Sequence, residues 1–136
     1  MRRKTFLTVT SIIVLLVGCF ALAAPEVLLT NVKHAAPSEA ANVMARTVGV
    51  LLVSVGVLNF LIRAHEDSPT LRAILIANLL LQLGILPIDP IAYASGAFRS
   101  LGSFVPNTVL HVLLAFGFIF YLRKMKPALR VQPGAP

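Results

Sequence analysis

Six side chains in this strongly apolar sequence have types suited to chemistry: Asn59, Asn78, Gln82, Asn107, His111 and Arg46. Carboxamides and an imidazole donate and accept hydrogen bonds, so together they could hold a ligand head group or a proton. A guanidinium could hold an anion. Spacing groups them. Asn78 and Gln82 are four residues apart, as are Asn107 and His111, so each pair lies on one face of a helix. Counting inward from the nearest charge at a rise of about 1.5 Å per residue gives depths. From the edge set by Arg63, Arg72 and Arg123, Asn59 lies about 6 Å in, Asn78 about 9 Å, Gln82 about 15 Å and His111 about 18 Å. Asn59 and Asn78 therefore share one level, and Gln82 and His111 another.

Two readings of these groups stand side by side. The plain one is hydrogen bonding between helices, worth only about 0.6 kcal/mol per pair in hydrocarbon. The sharper one is a small polar pocket centred on Gln82 and His111. Arg46 is expected at the outer edge, extending to water or paired with Glu26 or Asp89, with an anion site as the alternative.

Other chemistries lack their residues. No nucleophile elbow, phosphate-binding glycine loop, paired-histidine zinc motif or paired-cysteine motif occurs. The five carboxylates all fall outside mid-membrane depth by the same counting, which argues against a carboxylate-driven proton transporter. His34 and His65 fall in loops on opposite sides, leaving His111 without a second histidine for haem. His65, Glu66 and Asp67 are adjacent and cannot face one ion from a helix. They read instead as the watery turn "RAHEDSPTLR" between two buried helices. No metal, cofactor or catalytic group is expected.

The elements that must position these groups follow from composition. Hydrophobic residues make up 57% of the 136 and charged residues 12%, against about 25% charged in soluble domains. Such a chain turns its surface toward lipid. Uncharged runs of 21, 16, 16 and 23 residues separate Lys4 from Glu26, Arg46 from Arg63, Arg72 from Asp89 and Arg99 from Arg123. A span needs about 20 residues. The two middle runs reach only about 24 Å and complete the crossing if Arg46, Arg63 and Arg72 extend their heads to the interface. The expected fold is all-α: a single four-helix transmembrane bundle of antiparallel up-down topology, with helices at about 5–24, 40–64, 69–87 and 106–123 and a solvated tail over 124–136. Ser38 and Ser68 read as N-caps, Pro69 as the first helical residue, and Pro87 with Pro90 as the end of the third helix. Gly49 and Gly56, seven apart on the second helix, predict a close helix approach.

Basic residues set the orientation. Arg2, Arg3, Lys4, Arg63, Arg72, Arg123, Lys124, Lys126 and Arg130 gather on one side, and only Lys33, Arg46 and Arg99 on the other. The positive-inside rule then puts both termini in the cytoplasm of a bacterial-type plasma membrane. The net charge of +7 is explained by these helix ends, and no basic face for nucleic acid is present. Tyr93, Phe98 and Phe104 suit an outer segment at head-group level. The first run also fits two other descriptions. One is a secretory signal with Ala21 and Ala23 before the cut; the other is a lipobox, "LVGC", with Cys19 lipidated. The apolar sequence continuing to Ala24 favours a retained helix.

The stretch "ARTVGVLLVSVGVLNFLIR" with "DSPTLR", and "AAPE" at the end of the first helix, resembles small bacterial four-helix membrane proteins of the DoxX-like kind. That resemblance covers residues 5–123. It implies a four-helix bundle with an accessory membrane role. The expected function is thus a non-enzymatic accessory or scaffold component, in lipid, beside a membrane-protein partner or a second copy. The alternative is a binder or carrier of a small amphipathic ligand, a lipid or quinone, at Gln82 and His111.

Overall fold

A run without charge and with few breakers leaves the backbone one economical way to satisfy its own polar groups, the helix. The computed structural model describes residues 2–36, 38–98 and 100–125. The tail from 126 onward, with Lys126 and Arg130, lies outside the described residues, as does Arg99. Within them the chain is helical and has no strand. Four stretches are long and apolar enough to cross a membrane: Arg3–Ala23, Glu39–Ile62, Pro69–Ala94 and Leu101–Lys124.

The first, α1 (Arg3–Ala23), stops at Ala24, which precedes a proline and leaves the helical region at φ −138°. The chain does not then become a loop. A single turn, α2 (Pro25–Val27), runs into a wide π-type turn at Leu28–Val32. Next, α3 (Glu39–Ile62) starts where Ser38 accepts from the Ala41 amide at 3.1 Å. In the same way α4 (Pro69–Ile85) starts where Ser68 accepts from the Leu71 amide at 3.1 Å, with Pro69 in the first turn. Both caps fall on the serines expected from sequence.

The third span departs from expectation at its far end. Pro87 and Pro90 do not end the helical path. Leu86 and Pro87 keep helical dihedrals, and α5 (Ile88–Ala94) continues directly. Pro87 is the N-cap of α5 and Pro90 lies in its first turn, where a missing amide hydrogen costs nothing. A short 3₁₀ turn, Leu101–Ser103, then leads into α6 (Val105–Lys124).

The spans pack chiefly as two pairs, α1 on α3 and α4 on α6. Glycines make the first contact. A β-carbon on Gly18 would lie 2.9 Å from the Val53 nitrogen, and one on Gly49 would lie 2.9 Å from the Gly18 carbonyl oxygen. Gly56 likewise gives way to Leu15. As numbers fall along α1 from 18 to 15, they rise along α3 from 49 to 56. Further along the same sequence of contacts, Arg3 pairs with Asp67 and donates to the His65 carbonyl, tying the start of α1 to the α3–α4 turn. The expected glycine contact is therefore present, with α1 as the partner.

The apolar core joins the pairs at one end only. Phe6, Leu7, Ile62, Leu71, Leu75, Leu114, Phe118, Tyr121 and Met125 form it. The Phe6 ring sits edge-on to Phe118, with centroids 5.1 Å apart, and tilted on Tyr121 at 5.0 Å. The start of α1 therefore meets the end of α6. Toward the other end no such apolar cluster is formed by the described residues, and polar side chains take over.

Candidate functional site

Inside the bundle three polar rungs follow one another. The first joins the two pairs. Asn59 of α3 and Asn78 of α4 face each other as reciprocal amides: the Asn59 Nδ2 donates to the Asn78 Oδ1 at 2.8 Å, and the Asn78 Nδ2 donates to the Asn59 Oδ1 at 3.0 Å. Asn78 also donates to the Ile74 carbonyl at 2.9 Å, one turn back on its own helix. Both residues are buried, Asn59 completely. This level match is the one expected from residue counts.

The second rung is also the expected one. On α4, one turn beyond Asn78, Gln82 is buried and its Oε1 lies 2.5 Å from the Nδ1 of His111 on α6. An amide oxygen only accepts, so Nδ1 carries the hydrogen of this bond. His111 Nε2 then presents a lone pair. It makes no bond to a described residue, and it is not among the fully buried unpartnered atoms. It therefore reaches the edge of the bundle.

A third rung was missed from sequence. Asp89 of α5 is buried, and its Oδ2 accepts from Lys33 at 2.5 Å and from the Asn107 Nδ2 at 2.8 Å. Lys33 comes from just beyond the π-type turn, with its ammonium 5.1 Å from the centre of the Phe98 ring. The Tyr93 and Phe104 rings meet at a tilt of 37°, with centroids 5.0 Å apart. Asn107 thus lies on the His111 face of α6 as expected, but its partner is a carboxylate rather than a shared pocket. The signal was present: Asp89 is seven residues beyond Gln82, two turns along one face. Taking the prolines as a helix end hid it.

Of the readings for Arg46, the same finding removes only the pairing with Glu26 or Asp89. Asp89 is held by Lys33 and Asn107, while Glu26 and Arg46 are both exposed and make no ion pair among the described residues. Gly49 and Gly56 turn their face to α1, which closes that face of α3 to a ligand. Two buried hydroxyls of α1 were also missed. Ser11 donates to the Leu7 carbonyl at 2.7 Å, and the Thr10 hydroxyl has no partner among the described residues. Among the described residues no group of three or more histidine, cysteine, aspartate or glutamate side chains could hold a metal.

In chemical terms the arrangement offers hydrogen-bond pairing, one shielded ion pair and one imidazole lone pair. No family model matches the chain, and neither the curated proteins nor the solved structures compared with it gave a match.

Proposed function

We propose that this chain is an integral membrane protein of a bacterial-type plasma membrane that crosses the bilayer four times. Its helices run up and down, both termini lie in the cytoplasm, and it serves as an accessory or scaffold component. Contacts between the start of α1, the α3–α4 turn and the end of α6 support placing those three regions on one face. The basic residues at that end support calling it cytoplasmic. The resemblance to DoxX-like proteins supports an accessory role.

One observation carries the scaffold reading. Every carboxamide singled out from sequence has its partner inside the bundle: Asn59 with Asn78, Gln82 with His111, Asn107 with Asp89. In lipid an unpaired amide costs several kcal/mol, and these bonds meet that cost by joining helices. Around them, large apolar side chains of α3 such as Met44, Leu51 and Leu61 point outward to lipid or a neighbouring protein.

The alternative is a ligand site at the second rung, for a lipid or quinone. His111 Nε2 favours it, because its lone pair is free to accept from a ligand hydroxyl at mid-membrane depth. Gently extracted tagged protein, analysed by native mass spectrometry, separates the two. The scaffold reading expects a stoichiometric protein partner or second copy that persists in His111→Leu. A lone chain carrying one stoichiometric small molecule, lost in Gln82→Leu, would replace it with the ligand reading.

A further inference from the structure

Away from the three rungs, a groove of about 740 Å³ lies along the last turns of α6, where Phe6 leans against that helix. Its walls are apolar and largely aromatic, from Phe6, Phe116, Phe120 and Tyr121. Gly117 lines it too, and a β-carbon there would run into the Phe6 ring. At one end the lining changes to Arg123 and Lys124, both exposed. Neither makes an ion pair with a described carboxylate, and the Lys124 ammonium sits 4.4 Å from the centre of the Phe120 ring. The site is apolar along its length and cationic at its end.

We propose that this groove holds an anionic phospholipid. The acyl chain lies along Phe116, Gly117 and Phe120, and the phosphate sits on Arg123 and Lys124. Charge complementarity selects the head group: two neighbouring cations at the end of an apolar track match a phosphate that no head-group cation offsets. Cations at a helix C-terminus and at a cytoplasmic face have general uses as well. Those uses do not require a groove beside the cations, and they make no distinction between Arg123 with Lys124 and the other basic residues of that face. The proposal rests on the membrane-spanning reading, which sedimentation with alkaline-washed membranes checks separately.

The test is binding of phosphatidylglycerol or phosphatidylcholine to the delipidated full-length protein, read by native mass spectrometry. Wild type is expected to prefer phosphatidylglycerol. Replacing both cations, Arg123→Gln with Lys124→Gln, weakens that lipid about fivefold per charge removed, about 25-fold in all, and weakens phosphatidylcholine, whose choline cation offsets its phosphate, by clearly less. Arg123→Gln alone gives the fivefold step if the double variant folds poorly. Phe116→Ala weakens both lipids. A control pair on the same face but off the groove, Arg63→Gln with Arg72→Gln, keeps wild-type binding. Equal binding of the two lipids, or an equal loss in the control pair, overturns the proposal.

Discussion

Between α1 and α3 the contact is made by glycines; between the third span, α4 continued by α5, and α6 the polar contacts are made by amides, a carboxylate and an imidazole. Both solve one problem. Lipid tails are as apolar as leucine, so burial against another helix gains little over burial in lipid, and helices must hold by close packing or by polar bonds. The first pair uses shape. Gly18 and Gly49 let backbones approach until a methyl group has no room. The third span and α6 use hydrogen bonds at two levels, Gln82 with His111 and Asn107 with Asp89, and the glycine of α4, Gly84, faces open space. The difference teaches where each kind of substitution should hurt.

The largest effect belongs to the glycine contact. Gly49→Leu puts a side chain into the Gly18 backbone and costs at least about 1–3 kcal/mol. The expected readout is loss of monodisperse protein in mild detergent, or a clear drop in its unfolding midpoint. Wild-type behaviour would mean the two backbones do not approach closely. Next comes the rung between the pairs. Asn59→Leu strands a buried amide on Asn78, at about 1–3 kcal/mol. Asn59→Leu with Asn78→Leu together should cost less than the sum, and a double-mutant cycle reads the coupling directly. Additive losses would mean that the amides do not face each other.

A smaller cost is expected at the second rung. His111→Leu should lower stability by about 0.6–1.7 kcal/mol, the range seen for hydrogen bonds between helices in a bilayer. Smallest, and opposite in sign, is Gly84→Ala. With no atom within 4 Å of the added β-carbon, the better helix former should stabilise by about 0.5–1 kcal/mol. Destabilisation by Gly84→Ala would mean that α4 has a packing partner on that face.

Much of this is legible in the sequence. The caps at Ser38 and Ser68 were plain because a short hydroxyl side chain before a helix-forming run has few other uses. The Asn59–Asn78 and Gln82–His111 levels came from counting, because a helix has a fixed rise and every count started from a nearby charge. Counting does not reach Asp89, because a proline reads as a stop. Proline blocks a helix only from inside it, and here Pro87 and Pro90 open the next turn. Ser11 and Thr10 were overlooked because single hydroxyls barely lower the apolarity of a long run. The glycines on α3 announced a close approach, but periodicity on one helix cannot name the helix that answers it. That needed Gly18, which stands without a glycine partner at helical spacing in its own segment.

The measurement that bears most directly on the account is the side of the membrane from which each turn can be labelled. In a Cys19→Ser background, Ala64→Cys lies on the exposed α3–α4 turn and Ala97→Cys just past α5, also exposed. An impermeant maleimide should reach Ala64→Cys only in inside-out vesicles and Ala97→Cys only in right-side-out ones. Labelling of both from the same side would mean that Pro69–Ala94 does not cross, and the depth matching of the first two rungs would lose its basis.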